Sequence, residues 1–488
     1  MPCSSVRRGA AACFALLITA CSTPRDVERS ESQAQAPVVA QQSVAPAVPS
    51  PGTAPAPSSA PDAPAPDAPA PDAPTADSPA HGAGPVLPPD VAAALAYDPD
   101  DPLGNLESAD ALDRKAGALD KVDPVPRRGC AAAGGAMRVW PRGGPPAIVA
   151  AGDGFVIAGY DRRDAGEQAY LVSWPSDGLP RPLGTLSLAT PFPRERTAPP
   201  GLAARDAAHA TLAVADGAGA LLAAEVRVAG GGVGALAPIA QGVDARFAPA
   251  VAYTGARGLV AWTQGSTPMK TWLVVLDGTS VLARHDVTPV SAGASAAAFV
   301  TGATPPSLVM VDAHEGMSPI LRVDLAADGT PRPAVTGVVV AGAASPPELA
   351  AAMVGRHAWL GYTAVGNAAT SAVGLVPFAP SAEAPWPLVR GTAYGRLHVA
   401  AAAGHEVAIF AADAPTAAGK DPPHRIAVQV VDAQGAGAAY HIEAPGGASH
   451  VAIARAASGL VGVAYTTTAG VYVARLRCDD GAPGVKAK

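Results

Sequence analysis

The feature that most constrains the fold of this chain is a motif that recurs about every 50 residues. Short apolar runs end in an aromatic or small residue followed by Asp or Thr, at intervals of 55, 47, 49, 51, 50 and 53 residues. The runs end at Asp161, Asp216, Thr263, Asp312, Thr363, Asp413 and Thr466. A fixed period of this length is the signature of a repeat architecture. The chain is therefore predicted to contain seven repeats.

A second marker follows the same period and shows what one repeat contains. The stretch DGLPRP at 177–182 returns as DGTPRP at 328–333, and Asp-Gly between apolar runs marks a tight turn between antiparallel strands. In the third repeat Gly-containing or polar turns separate four strand-like runs, APAVAYT, GLVAWTQ, TWLVVLD and SVLARHDV. Four strands at this period are typical of β-propeller blades, because a solenoid rung needs fewer strands. We predict an all-β fold, a seven-bladed β-propeller of four-stranded blades.

The third repeat also resembles a known class of sequence. The block PAVAYTGARGLVAWTQ, followed by TWLVVLDGTSVL, is similar to the degenerate propeller repeats of exported bacterial proteins. The resemblance covers residues 137–480 and implies the fold. It implies no activity, because propellers host many unrelated functions.

The N-terminus predicts export and a lipid anchor. Arg7 and Arg8 precede the apolar run AAACFALLITAC, which is too short to span a membrane and is typical of a secretory signal at residues 1–20. The ending LITAC resembles a bacterial lipobox, which implies cleavage before Cys21 and lipidation of its thiol. The alternative is an ordinary signal peptide with an incidental cysteine. Ser22 after the cysteine implies the outer membrane, with the protein facing the periplasm or the cell surface.

Composition divides the rest of the chain. Residues 21–89 are rich in Pro, Ala and Asp and are predicted to be a disordered tether, since such sequences cannot bury a core. Residues 90–129 carry a weak helical pattern, with Leu112, Ala116 and Leu119 on one face, and are predicted to be a short, partly helical connector. The propeller is expected over 130–480, followed by a disordered tail at 481–488.

The ends of the repeat region predict how the ring closes. The seventh repeat supplies three strand-like runs, and an extra run, AMRVWPR at 136–142, precedes the first repeat. An N-terminal strand that completes the last blade would bring Cys130 and Cys478 together. They are the cysteines left after Cys21 and the signal, in a compartment where disulfides persist. We predict a disulfide between them; the alternative is two free thiols.

Charge and motifs exclude several classes of function. The formal net charge is -7 and there is no basic patch, so nucleic acid is not an expected partner. The chain lacks the GxSxG, HExxH, CxxC, P-loop and EF-hand signatures, and we predict no cofactor and no metal. The histidines share no evident spacing.

One face of the predicted ring is the candidate binding face. The recurring Asp and Thr residues all begin the connection between the second and third strands, so they fall on the same side. The candidate residues are Asp161, Asp216, Asp312, His314, Glu315 and Asp413. The alternative is structural, because Asp and Thr at a strand end can hydrogen-bond the backbone and start a turn.

These observations favour a non-enzymatic binding or scaffold protein of the bacterial envelope, resembling an outer-membrane lipoprotein. The ligand is not specified by the sequence; an envelope protein or a glycan is the expected partner, and the chain is expected to be a monomer. Two alternatives stay open: an enzyme acting on polysaccharide or peptide in the propeller channel, and an outer-membrane assembly factor.

Overall fold

The computed structural model describes a β protein. Its described residues are 106–107, 128–142, 144–163, 166–192, 197–265, 268–288, 294–312, 319–339, 348–365, 371–378, 386–393, 397–414, 425–433, 435–444 and 447–479. All belong to the compact unit Pro79–Lys488; the other unit, Met1–Ser78, lies outside these ranges. The described ranges contain no helix, and so none that could cross a membrane. The predicted signal peptide, Cys21, the tether and the C-terminal tail lie outside the described residues.

Three short strands precede the main sheets, and antiparallel groups then follow one another along the chain. The short strands are β1 (Leu106–Glu107), β2 (Cys130–Ala132) and β3 (Met137–Trp140). Group 1 contains β4 (Ala147–Ala151), β5 (Gly154–Arg163), β6 (Gly166–Trp174) and β7 (Arg181–Ser187). Group 2 contains β8 (Gly201–Ala204), β9 (His209–Ala215), β10 (Ala220–Arg227), β11 (Gly232–Val233) and β12 (Ala237–Gln241). Group 3 contains β13 (Ala250–Thr254), β14 (Arg257–Gln264), β15 (Lys270–Asp277) and β16 (Ser280–Asp286).

The later groups repeat this pattern. Group 4 contains β17 (Ala294–Thr301), β18 (Ser307–Asp312), β19 (Pro319–Leu325) and β20 (Pro331–Val339). Group 5 contains β21 (Leu349–Val354), β22 (His357–Val365), β23 (Ser371–Pro377) and β24 (Trp386–Ala393). Group 6 contains β25 (Val399–Ala403), β26 (Ala408–Ala414), β27 (Arg425–Asp432), β28 (Gly435–Ala436) and β29 (Tyr440–Glu443). Group 7 begins with β30 (Ala448–Arg455), β31 (Leu460–Thr467) and β32 (Gly470–Cys478).

Strands within a group pair antiparallel in chain order. Beside the third strand lies a fourth, which is divided into β11 and β12 in group 2 and into β28 and β29 in group 6. In group 7 this place is taken by β2 and β3, which both pair with β32. A parallel contact between β17 and β21 joins groups 4 and 5. The sequence prediction of four-stranded antiparallel sheets is confirmed.

The apolar runs are continuous because the central strands are covered on both faces. In β14, Leu259 and Ala261 enter a core shared with group 4, whereas Val260 and Trp262 enter a core shared with group 2. Successive side chains of a strand point to opposite faces. Each residue of such a strand therefore faces one of the two neighbouring groups, and polar residues are confined to its ends.

Each group packs against the next one along the chain, and group 7 also packs against group 1. A core lies between each pair of consecutive groups, and a further core joins group 7 to group 1. The first strands contact one another in the same order, from β4 through β8, β13, β17, β21, β25 and β30 back to β4. Where groups 7 and 1 meet, Trp140 is fully buried and stacks on Tyr170 with ring centroids 4.1 Å apart.

The N-terminal strand β2 brings Cys130 next to Cys478. Cys130 of β2 stands opposite Cys478 of β32, and the two form a disulfide across 348 residues of sequence. The predicted disulfide is confirmed. In the connector, Leu106 and Glu107 form a short strand paired with β29, and the helical pattern at 112–119 lies outside the described residues.

The two copies of the DG motif contact the group that precedes their own. In the turn between β6 and β7, the carbonyls of Pro175 and Gly178 accept hydrogen bonds from Arg475 of group 7. In the turn between β19 and β20, the carbonyl of Asp328 accepts from Arg257 of group 3 at 3.3 Å. Gly329 has φ +89°, and a Cβ there would lie 2.7 Å from a side-chain atom of group 3. The turn needs glycine both for its backbone conformation and for close packing.

Candidate functional site

A central cavity borders every group of strands. It has a volume of about 320 Å³ and is lined by the first strand of each group or by the residues just before it. Most of the lining side chains are small and apolar, such as Ala147, Ala250, Ala351 and Ala400. The first strand has no partner on its inner side within the group's own sheet, so its inner edge borders the cavity.

Ionisable residues gather where the first strands begin. Glu348 immediately precedes β21, His398 immediately precedes β25, and His450 is the third residue of β30. Arg246 precedes β13 and lines the same end of the cavity. We call these four residues the channel mouth.

Asp413 holds the imidazole of His398. His398 is 6% exposed, and its Nδ1 lies 2.7 Å from the Oδ2 atom of Asp413, which is fully buried. The same carboxylate oxygen accepts the backbone N–H of His398 at 3.1 Å. The backbone N–H of His450 approaches Nδ1 at 3.3 Å, but a carboxylate can only accept, so the shorter contact places a proton on Nδ1. The other ring nitrogen of His398, Nε2, points toward Glu348.

Glu348 and His450 approach the other sides of the His398 ring. The Oε1 atom of Glu348 lies 3.5 Å from Nε2 of His398, and the ring of His450 lies 4.0 Å from that of His398, centroid to centroid. Ser449 Oγ lies 2.9 Å from Nδ1 of His450. The carboxylates of Glu348 and Asp413 and the imidazole of His450 therefore all contact the imidazole of His398.

The backbone at the mouth is strained. His450 has φ +54°, in the left-handed region that non-glycine residues rarely adopt, and it lies where the pairing register of β30 with β31 shifts. Ala296 of β17 has the same φ of 54° and also lines the cavity. Strain of this kind costs about 1–3 kcal/mol and is concentrated at functional sites. The strained residue His450 lies within this register shift, and its ring contacts the ring of His398.

Arg246 carries the positive charge of the mouth, and that charge is already paired. Its guanidinium lies 2.5 Å from Asp244 Oδ2, and its side chain is 65% exposed. Although burial works against the charged carboxyl, the hydrogen bonds from the side chain and backbone of Arg246 hold the pKa of Asp244 below its usual value. Asp244 and Arg246 also border a second, more open cavity between groups 2 and 3, with Asp216 and Gly217.

The recurring Asp and Thr residues are buried where their side chains are described. Asp161, Asp216 and Asp413 are 0%, 6% and 0% exposed. Asp161 accepts from Arg163 at 2.8 Å, and Asp216 accepts the backbone N–H groups of Ala218 and Ala220. These carboxylates are used in internal hydrogen bonds, as the structural alternative expects, and their role in binding stays a prediction.

The threonine members of the motif anchor the beginnings of first strands. Thr363 accepts the backbone N–H of Glu348 at 2.9 Å, and Thr466 donates to the carbonyl of Gly144 at 2.6 Å. Asp413 likewise accepts the backbone N–H of His398. At these three positions the motif side chain bonds the backbone where a first strand begins beside the cavity, whereas Asp161 and Asp216 bond groups in the turn that follows their own strand.

The remaining members of the predicted face are less fully described. Asp312 ends β18, and its side chain lies outside the description; His314 and Glu315 lie outside the described residues. Within the described ranges, no group of three or more His, Cys, Asp or Glu side chains is arranged to hold a metal ion.

Sequence reasoning missed the channel mouth although the signal was present. Glu348, His398 and His450 are 50 and 52 residues apart, close to the period of the repeat. They precede Thr363, Asp413 and Thr466 by 15, 15 and 16 residues. Aligning the repeats on the Asp/Thr motif would have placed Glu348 and His398 in one column and His450 one position away, near the start of the first strand.

Comparisons with known proteins find structural neighbours only. No protein-family model matches the chain, and no curated protein is similar in sequence. The lectin BP39L from Burkholderia pseudomallei is 16% identical with a TM-score of 0.47, covering 68% of this chain and 98% of the lectin. TolB from Acinetobacter baumannii is 11% identical with a TM-score of 0.36, covering 62% and 64%. A neuraminidase-like protein of A/flat-faced bat/Peru is 9% identical with a TM-score of 0.37, covering 64% and 91%. These structural neighbours are β-propeller proteins.

Proposed function

We propose that this chain is an exported, lipid-anchored binding protein that receives an envelope protein or glycan at the mouth of a propeller channel. The single observation that carries the proposal is the central cavity, bordered by every group, with its ionisable residues gathered where the first strands begin. A concave, mostly apolar site with a few convergent polar groups is the usual form of a binding site.

A closed ring of seven four-stranded blades is the architecture that makes this cavity a channel. The shared cores between consecutive groups and the core between groups 7 and 1 support it. The pairing of β2 and β3 with β32 supports closure by the N-terminal segment. Closure leaves the propeller without a free seam between its first and last blades.

The location follows from the N-terminal sequence. A lipid on Cys21 would hold the protein at the outer membrane, and a Pro-rich tether at 21–89 would separate the propeller from the bilayer. A domain held in this way suits the capture of a partner at some distance from the membrane. The enzymatic and assembly-factor alternatives stay predictions, because no particular contact in the described residues favours either.

Site-specific photo-crosslinking in intact cells tests the binding face. A photoreactive amino acid replaces Arg246, whose exposed side chain lines the cavity. The matched control replaces His405, which is exposed in the turn after β25, whereas His398 stands just before that strand. The control thus samples the other end of a channel-lining strand, about 17 Å away. Purified adducts are identified by mass spectrometry for protein and by sugar analysis for glycan.

Capture of one partner from position 246 and not from 405 would support the proposal. Equal capture from both positions, capture from 405 alone, or no adduct from either would refute binding at the channel mouth. Fractionation of the same cells tests the anchor: wild-type protein is expected in the outer-membrane fraction, and Cys21→Ser is expected to lose it.

A further inference from the structure

We propose that two copies of this protein pair through the outer edge of β16, the fourth strand of group 3. Such a dimer goes beyond the proposed binding function, and it replaces the monomer that the sequence alone led us to expect. Three features of β16 support it: an unprotected edge, exposed apolar side chains, and a charge pattern that is complementary to itself.

Most other outer edges are blocked or covered. A strand at the edge of a sheet has unpaired N–H and C=O groups, and proline is one of the residues that keep a further strand from adding to it. Every other described fourth strand of five residues or more contains proline: Pro182 in β7, Pro238 in β12, Pro331 and Pro333 in β20, and Pro387 in β24. In group 6, β1 pairs with the outer side of β29. In contrast, β16 has seven residues, no proline and, within the described sheets, no partner besides β15.

The strand β16 also carries two of the three large hydrophobic side chains that are exposed in the described part of the chain. Val281 is 43% exposed and Leu282 is 54% exposed. The pairing register with β15 shifts at this point, and regular pairing runs on from Ala283. An antiparallel strand laid along residues 283–288 would pass beside Leu282 and remove part of this apolar surface from water.

The hydrogen bonds to β15 show which backbone groups of β16 are free. The N–H of Val287 donates to the carbonyl of Thr271 at 3.0 Å, and the regular register extends back from there along β16. In an antiparallel pair only every second residue bonds the partner strand through its backbone. The N–H and C=O groups of Arg284 and Asp286 therefore point away from β15, toward the open edge.

Charge selects one register for two copies of this edge. If Arg284 stands opposite Asp286 of the second copy, twofold symmetry creates the reciprocal pair as well. Each pair can then exchange both of its backbone hydrogen bonds, because the groups of both residues point outward. The neighbouring registers place Arg284 opposite itself or Asp286 opposite itself, and like charges at opposite positions are destabilising. In the favoured register His285 lies on the twofold axis.

Both charged side chains have capacity for a further partner. Arg284 is exposed, and its guanidinium donates to the carbonyl of Ile239 at 2.8 Å while it has more N–H donors than this contact uses. Asp286 accepts from Lys270 at 2.9 Å and from the backbone N–H of Thr288, and a carboxylate can accept more than two hydrogen bonds. Each can therefore contact the opposite charge of the second copy without giving up its present contacts.

Cysteine substitution along β16 tests the register in cells that express the full-length chain. His285→Cys is expected to give a disulfide-linked dimer on non-reducing electrophoresis, because the Cβ atoms of directly opposite residues lie about 5 Å apart. The matched control is Val281→Cys, which is exposed in the same strand. It should give no such dimer, because the two copies of residue 281 would lie about 27 Å apart. Wild-type protein shows the background from the other cysteines.

Charge exchange tests the pairing with purified full-length protein, followed by sedimentation velocity. Arg284→Asp should raise the dimer dissociation constant about tenfold or more, because it opposes like charges at both pairs. Asp286→Arg should do the same. An equal mixture of the two variants should form mixed dimers, since each pair then joins opposite charges again. The circular dichroism spectrum and the unfolding midpoint of each variant show whether it is folded.

The outcomes are distinct. Crosslinking at position 285 and not at 281, together with rescue by the mixture, would support the dimer. It would be overturned by equal crosslinking at both positions, by no crosslink at 285, or by folded single variants that dimerise like wild type. A crosslink from 285 to a different protein would identify another occupant of this edge and would also overturn it. Partner capture from position 246 tests the channel mouth separately and does not depend on these results.

Discussion

Removing the disulfide should destabilise the protein by an amount set mainly by the length of the loop it closes. The perturbation is the double substitution Cys130→Ser and Cys478→Ser, which removes a cross-link between residues 348 apart in sequence. The chain-entropy relation for a loop of this length gives about 5–6 kcal/mol at 25 °C. That figure is an upper value, because compact denatured chains already lose part of this entropy.

The strands next to the disulfide are also held by other interactions, so its removal should change the native structure little. β2 and β3 pair with β32 through backbone hydrogen bonds, and Trp140 at the end of β3 is fully buried in the core between groups 7 and 1. The native fold should therefore persist without the cross-link. The loss of stability should come from the unfolded state and from easier opening between groups 7 and 1.

Denaturant unfolding followed by tryptophan fluorescence measures the effect. The unfolding midpoint of the double variant should fall, and wild-type protein in reductant should unfold at the same midpoint as the variant. The variant itself should not respond to reductant. A change of less than about 0.5 kcal/mol between oxidised and reduced wild type would refute the reasoning, because it would mean that the chain ends are already held together in the unfolded ensemble.

Three further predictions concern contacts between groups and one buried histidine. Arg475→Ala should cost about 2–4 kcal/mol of unfolding free energy, because it removes a cation 4.3 Å above the ring of Trp174 and leaves two carbonyls without their donor; a thermal shift equal to that of wild type would contradict this. Gly329→Ala should cost about 1–3 kcal/mol, and more than Gly255→Ala, since both glycines have positive φ but only Gly329 faces nearby side-chain atoms; equal thermal shifts for the two would disprove the packing contribution. Burial, and then the charge of Arg425, lower the pKa of His441 to about 3. The unfolded state then binds the extra proton, so stability should be full above about pH 6.5 and fall with acidification at up to about 1.4 kcal/mol per pH unit; His441→Gln should flatten that slope in pH-dependent denaturant unfolding.

Much of the sheet structure could be predicted from the sequence because its signals are local. A run such as TWLVVLD, whose last residue begins the Asp-Gly turn at 277–278, specifies a strand and its hairpin within about 15 residues of sequence. The pairing of Cys130 with Cys478 was also predictable, because the predicted signal peptide and lipobox would leave only these two cysteines, in a compartment where disulfides persist.

The candidate site was only partly predictable. From the sequence, Asp161, Asp216 and Asp413 were expected on one face of the predicted propeller, but their burial was not expected. The sequence at the end of a strand is the same whether the side chain faces solvent or packs against a neighbouring strand. Burial is decided by what packs over the strand end. Asp161 and Asp216 are buried, and both accept hydrogen bonds from residues of the following turn or strand.

What the sequence by itself determined is therefore the strands, the turns between them and the pairing of Cys130 with Cys478. Only the tertiary structure decided that Glu348 and His450, which are 102 residues apart and belong to groups 5 and 7, both contact the imidazole of His398 in group 6. The physical reason is that sheets packed side by side bring residues that are about 50 positions apart in sequence to the same end of neighbouring first strands beside one cavity. Contacts of that kind depend on cores buried between sheets, and no local pattern of residues encodes the distance between two sheets.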